Sequence, residues 1–384
     1  MIHSQRETIM NVLRRLCPIT LALTLAASPA FADDAVHVAF TATLTGDFAT
    51  YGVSGKKGFD LAIADINAQG GPKIAVDTVD DHGQPNDGVL AANRFCGDDN
   101  TVAVVGYTFS SIALATVPLY KKCKMPTIGT AVTSPQLSNA SPWFRRVVLT
   151  DAIQGKMMGQ YTANQLHVKT VYTLYQQDDY GLGVNGAFKS AYQEAGGKIV
   201  GEGGYVLGTK DFRTILTKVK AAHPDGLFIG GFYTEAAQIV TQAKALGIDA
   251  KILGTDGSLS PQLISLSNNA VDGMTLYGMF DPDASSNSST QSAAFVKAFT
   301  AKYGQAPDSW AALGYDAGLA IGNAVKAAKA KGPVTRDSVN AALGSVNVAG
   351  VTGPVAFEKS GDRKGTLYFF TAHDGKFALA GQQK

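Results

Sequence analysis

The stretch TVAVVGYTFSSIALATVPLYKKC, Thr101 to Cys123, decides how the rest of the chain is read. An apolar β-branched run, TVAVVG, gives way to a helical pattern, SIALATVPLYKKC, and two small hydroxyl residues, Ser110 and Ser111, stand at the change. The same alternation extends both ways. Upstream it appears as VHVAFTATL before GFDLAIADINAQGG and as KIAVDTV before DGVLAANRFC. Downstream it appears as TVYTLY before GAFKSAYQEAGG, KIVGEGGYV before DFRTILTKVKAAH, and GLFIGG before TEAAQIVTQAKALG. Repeated strand–helix units specify parallel sheets with helices on both faces, an α/β class. There are too many units for one compact sheet. RRVVLTD, Arg145 to Asp151, reads as a crossing between two sheets, and GMTLYGMF followed by the polar DPDASSNSS reads as a return. Two long helical patterns follow, and the tail GTLYFFTAHDGKFALA reads as a hairpin turning at Asp374-Gly375. The expectation is two Rossmann-like lobes whose halves resemble each other in pattern.

The amino terminus stands apart from this pattern. A basic start at Arg14 and Arg15, an apolar stretch and Ala30-Phe31-Ala32 form a secretory signal with an A-x-A cleavage site, residues 1–32. The apolar stretch is too short for a membrane span. Met10 gives a tidier start than Met1. Cleavage after Ala32 leaves a chain whose acidic and basic side chains balance, with no basic run, which argues against nucleic acid as a partner. Two cysteines remain, Cys96 and Cys123, in an oxidising compartment. An even pair suits one disulfide, with two buried thiols as the alternative.

In open α/β sheets, ligands sit beyond the carboxyl ends of the strands, where helix amino termini converge. A second stretch, TIGTAVTSPQLS from Thr127 to Ser138, repeats the feature at Ser110, since Thr133 and Ser134 precede Pro135, a favoured first helical residue. Ser and Thr are good helix caps in any protein. Two such ends on adjacent strands, opening into one crevice, point to an anion, and a carboxylate fits.

Other signals lead nowhere. GLGVNG, Gly181 to Gly186, matches the dinucleotide fingerprint, but Gln176 to Tyr180 separate it from the strand, and Asp178 and Asp179 would repel a pyrophosphate. SGKK at Ser54 lacks the companion stretches of a penicillin-binding enzyme, and no G-x-S-x-G elbow is present. The six histidines show no metal-ligand spacing, and VDDHGQPND around His82 lacks the pattern of a calcium loop, so neither metal nor cofactor is expected. Nothing argues for an enzyme.

Taken in order, LTGDFATYGVSGKKGFDLAIADINAQGG, VDDHGQPNDGVLAANRF, VVGYTFSS, PTIGTAVTSPQLS, YQQDDYGLGVNGAF, GGFYTEAAQIVTQAKALG, ILGTDGSLS and GVTGPVAFEKSGDRKG resemble one family throughout the chain. It is the type I periplasmic substrate-binding proteins of branched-chain amino acid (Leu/Ile/Val) ABC transporters. The resemblance implies lobes joined by a three-crossing hinge, with residues 33–150 and 278–351 in the amino-terminal lobe and 151–277 and 352–384 in the other. It implies a monomeric periplasmic protein that captures an amino acid between the lobes and presents it to a membrane permease and its ATPases, without catalysis.

The same resemblance assigns residues. Ser110 and Thr133 would hold the α-carboxylate; the Ala131 carbonyl and Asp256, in GTDG, would hold the ammonium; Tyr180 would close over the ligand. Tyr51, Phe232 and Trp310 would line the side-chain pocket. A zwitterion needs an anion site and a cation site a few ångströms apart, and these groups supply both. Asp256 could instead cap a helix beginning near Pro261, and Tyr180 could serve in packing between the lobes. Phe109 stands where leucine binders often carry a disulfide cysteine, and with Tyr107 and Trp310 it makes the region aromatic. An aromatic carboxylate, a small amide, or a sensory role in which the ligand is presented to a receptor are the alternatives.

Overall fold

The computed structural model describes residues 35–283 and 289–383, so the expected signal segment lies outside the described residues. The amino-terminal sheet is wholly parallel, in the order β2 (Ile74–Asp80), β1 (Val36–Ala42), β3 (Thr101–Gly106), β4 (Thr127–Gly129), β5 (Phe144–Arg146). The second sheet repeats that order with β7 (Lys198–Tyr205), β6 (Thr170–Gln176), β8 (Gly226–Gly230), β9 (Lys251–Leu253) and β10 (Thr275–Gly278). It then continues with two antiparallel strands, β13 (Leu367–His373) and β14 (Lys376–Gln383). The β13–β14 turn is at Asp374-Gly375, both with positive φ (48° and 74°), as a two-residue hairpin turn requires.

Sequence sets which strands are central. Every residue of β3 and of β8 is buried, as their unbroken apolar runs require, whereas the edge strands β2 and β7 are partly exposed. In each sheet the strand order reverses beside the first strand of its half, between β1 and β3 and between β6 and β8, and there the connections diverge to leave a crevice. The helices opening on these crevices are α1 (Ala49–Ala68), α3 (Ser110–Lys122), α5 (Asp179–Glu194) and α7 (Tyr233–Ala245).

Two glycine-lined approaches fix the walls. A Cβ on Gly58 of α1 would lie 1.8 Å from the Ala311 carbonyl oxygen, and one on Gly314 would lie 2.0 Å from that of Gly55. Helix α1 therefore packs backbone to backbone on α10 (Ser309–Lys329), which sets Trp310 beside Tyr51 with ring centroids 5.2 Å apart. Asp308 caps α10, accepting from Ala311 N at 2.8 Å, and Ser54 of α1 donates to the same carboxyl at 2.5 Å.

The chain leaves the first sheet after β5 and enters α4 (Asp151–Asn164) through Val147 to Thr150, where the crossing is expected. A two-stranded ribbon, β11 (Asn347–Gly350) and β12 (Gly353–Ala356), spans the lobe boundary expected at 351/352 and makes that boundary cut a paired unit at its turn. Buried Asp316 of α10 holds the turn, accepting from Val351 N at 2.7 Å and Thr352 N at 3.1 Å, with Arg363 alongside at 3.4 Å. Cys96, near the end of α2 (Pro85–Gly97), is bonded to Cys123, which follows α3.

Candidate ligand-binding cleft

The cleft is assembled from the carboxyl ends of both sheets. Seven of the residues singled out in the sequence line one cavity: Tyr51, Ser110, Ala131, Tyr180, Phe232, Asp256 and Trp310. Thr108 and Gly257 complete it. Phe109 and Thr133 are not part of that lining. Phe109 packs edge-on against Phe232 at 5.0 Å and against Phe48 at 5.3 Å.

Ser110 is the first residue of α3 rather than its cap; Phe109 holds the cap position and makes no side-chain capping bond. Ser110 Oγ accepts the Ser134 backbone N–H at 3.2 Å and keeps its own hydrogen to donate. The dipole and open amide groups of a full helix stand behind it. The companion end differs from expectation. Pro135 opens a single 3₁₀ turn, Pro135–Leu137, because buried Arg146 takes the carbonyls of Val132 (3.1 Å) and Ser134 (2.8 Å) and the Ser138 hydroxyl (2.6 Å), which holds the segment as a loop. Thr133 is fully buried, and its hydroxyl lies near the Asp151 carboxyl but outside hydrogen-bonding geometry.

Asp256 opens a short turn after β9 and is buried. Its Oδ1 accepts from Tyr180 Oη at 2.6 Å and Gly257 N at 2.8 Å, and its Oδ2 from Gln154 Nε2 at 3.2 Å. Burial raises its pKa, and the groups pulling it back are neutral donors: Tyr180, the Gly257 N–H and Gln154. The cap of the next helix, α8 (Pro261–Leu266), is Ser260 and not Asp256. Asp151, the first residue of α4, is buried too, with neither carboxylate oxygen hydrogen-bonded among the described residues. Burial, then the Asp256 charge, pushes its pKa up.

The lobes touch across the cleft. Tyr51 Oη donates to the Gly257 carbonyl and Tyr233 Oη to the Asp47 carbonyl. Phe48 meets Phe232 at 5.6 Å and Tyr233 at 6.2 Å. Phe48 and Tyr233 were not foreseen, although each stands within three positions of a residue that was. Gln154 and Asp151 were missed because a helix start after a crossing carries no local sign of facing a cleft. The first two glycines of GLGVNG pack: a Cβ on Gly181 would meet the Gln176 carbonyl oxygen at 2.2 Å, and one on Gly183 would approach Pro135 at 3.0 Å and Asp151 at 3.1 Å, whereas one on Gly186 would meet nothing within 4 Å.

A cleft between two doubly wound lobes, with a hydroxyl at a helix end and a buried carboxylate lining one cavity, defines a receptor for a small solute. The periplasmic binding protein family profile matches residues 35–376. A Leu/Ile/Val-binding protein homolog of Brucella abortus is 30% identical over 370 residues, spanning 94% of this chain and 97% of that protein. The leucine-binding protein LivK of Thermotoga maritima superposes with a TM-score of 0.85 at 25% identity, covering 90% of this chain and 98% of its own. The branched-chain amino acid substrate-binding protein LivJ of Streptococcus pneumoniae, solved with isoleucine, gives 0.83 at 28% identity, covering 91% and 99%. The chain belongs to the periplasmic binding protein family, and its relatives include Leu/Ile/Val-binding proteins and substrate-binding proteins of ABC transporters.

Proposed function

We propose that the protein captures an amino acid, branched-chain, aliphatic or related, between its lobes and delivers it to an ABC importer as a non-catalytic extracytoplasmic receptor. The observation that carries this reading is the pairing of Ser110, at the start of α3, with buried Asp256 in the lining of one cavity. Ser110 and the helix end receive the α-carboxylate, with Thr133 assigned to the same end. Asp256 and the Ala131 carbonyl receive the ammonium, and Tyr180 orients Asp256. Tyr51, Phe232 and Trp310 form the walls against which the side chain packs, and Phe109 backs Phe232 from outside the lining. A buried carboxylate bonded only by neutral donors gains a counter-charge when an ammonium arrives. The permease and ATPases are separate chains, the receptor acts as a monomer, and the signal segment that directs its export is removed by cleavage after Ala32.

The test is a thermal-shift panel on protein stripped of ligand by unfolding and refolding, with L-amino acids beside benzoate-type acids and small amides. A ligand at about a thousand times its dissociation constant adds roughly 4 kcal/mol of stability. A response confined to L-amino acids is expected. A response to aromatic acids or amides with silence from amino acids would overturn the roles given to Asp256 and Ala131 and favour a receptor for those compounds.

A further inference from the structure

We infer that Gln154 is a positioning residue of the cleft, which holds the Asp256 carboxylate in place for a ligand ammonium from an anchor on the crossing between the two sheets. This rests on the amino-acid reading above and deepens it.

Asp256 is buried, and its two oxygens are held unequally. Oδ1 accepts from both Tyr180 Oη and Gly257 N, whereas the single donor to Oδ2 among the described residues is Gln154 Nε2, at 3.2 Å. Gln154 is itself fully buried, in the first turns of α4. Its Nε2 also donates to the Leu149 carbonyl at 2.8 Å. Leu149 lies in the crossing Val147 to Thr150, and its own N–H meets Met279 Sδ, just after β10, at 3.1 Å. Both amide hydrogens of Gln154 are thus committed, one to the crossing and one to the acid. Turning the amide over would set its oxygen against two oxygens, the Leu149 carbonyl and Asp256 Oδ2, so the partners fix which atom faces the carboxylate.

A carboxylate oxygen left bare inside a protein is costly, and the acid escapes that cost by taking up a proton. The other titratable groups facing Asp256 do not prevent this. Asp151, three residues before Gln154 on α4, adds like charge, and Tyr51 of α1, Tyr180 of α5 and Tyr277 of β10 are kept neutral by burial. A protonated Asp256 offers an ammonium no counter-charge. Donation from Gln154 favours the charged form and aims it, so Gln154 acts on the ligand through Asp256.

Titration calorimetry of ligand-stripped protein with L-alanine, L-valine, L-leucine and L-isoleucine supplies the probe, the one bound most tightly. Gln154→Met, similar in length and volume but without a donor, is expected to bind it at least about tenfold more weakly at pH 7. Two readouts separate positioning from a merely structural role. Between pH 8 and pH 5 the affinity of the variant should fall away at a higher pH than that of the parent, because the lost bond had held the Asp256 pKa down. In an Asp256→Asn background the same substitution should change affinity by less than about twofold, since the charge it served is gone. Gln154→Asn, whose amide stops one methylene short of Asp256, should repeat the loss and takes the place of Gln154→Met if that variant does not fold. Unchanged affinity in a folded variant overturns the inference and leaves the amino-acid reading standing. So does a loss that is the same at every pH or that persists in the Asp256→Asn background. Binding of none of the four amino acids by folded parent protein removes the amino-acid reading and this inference together.

Discussion

At the scale of single residues, Asp256 concentrates the chemistry, because it is the buried acid that also lines the cavity. Asp256→Asn keeps the shape and removes the charge. Truncating one partner of a buried, hydrogen-bonded charge pair costs about 2–5 kcal/mol, so amino-acid affinity should fall by roughly thirtyfold or more in a titration. Unchanged affinity would show that the ammonium lies elsewhere. Acidity gives a second readout. Burial raises the pKa values of Asp151, Asp178 and Asp256 above the unfolded value, so between the unfolded and folded pKa values the native state binds more protons. These groups therefore stabilise the ligand-free protein more as pH falls from neutral toward the unfolded value, and that contribution is lost as pH rises through the folded values. Zwitterion affinity should move the other way, falling as Asp256 takes up its proton. Ligand-free melting curves at pH 7 and pH 5 check the first statement, and the Asp151→Asn/Asp256→Asn double variant should shrink the difference.

Among elements, the decisive contact is α1 against α10, because it sets Trp310 over Tyr51. Gly58→Ala would drive a methyl into the Ala311 carbonyl oxygen, 1.8 Å from its ideal position, and force the helices apart. Overpacking of this kind costs about 1–3 kcal/mol, and here it should also weaken ligand binding by moving Trp310. Gly186→Ala is the matched control. Its Cβ meets nothing within 4 Å in the interior of α5, so the exchange should stabilise by about 0.5–1 kcal/mol and leave affinity alone. Denaturant melts of both variants separate the cases. Most elements were legible because their strands are apolar runs and their helices follow at regular intervals, as in β3 and α3. The β11–β12 ribbon was not, since its four-residue strands rest on Asp316 from a distant helix. The turn at Pro135 was misjudged because Arg146, not the local sequence, claims its carbonyls. Of the cavity residues, Ser110 was legible as a hydroxyl where a strand gives way to a helix, and Tyr51, Ala131, Tyr180, Phe232, Asp256 and Trp310 were legible only through the family resemblance, whereas Gln154 depends on how α4 sits after a crossing.

For the whole molecule, the structure is that of closed lobes, and the groups that close it are not all groups that line the cavity. Tyr233 stands outside the lining, yet its hydroxyl donates across the cleft to the Asp47 carbonyl. It therefore belongs to the closed form and not to the ligand site. Removing its hydroxyl weakens that form relative to an open one in which the lobes part. Apparent affinity scales with the fraction of protein competent to bind, so Tyr233→Phe should act on every ligand alike. A net hydrogen bond contributes about 0.5–1.5 kcal/mol, which corresponds to a rise of roughly two- to twelvefold in the dissociation constant. The order of preference among ligands should stay the same, because nothing that touches the ligand has changed. Small-angle scattering should show compaction on saturation in both proteins, with the ligand-free variant at least as extended as the parent. Altered ranking of ligands would instead make Tyr233 a specificity residue, and unchanged affinity would mean that the contact with Asp47 contributes nothing to closure.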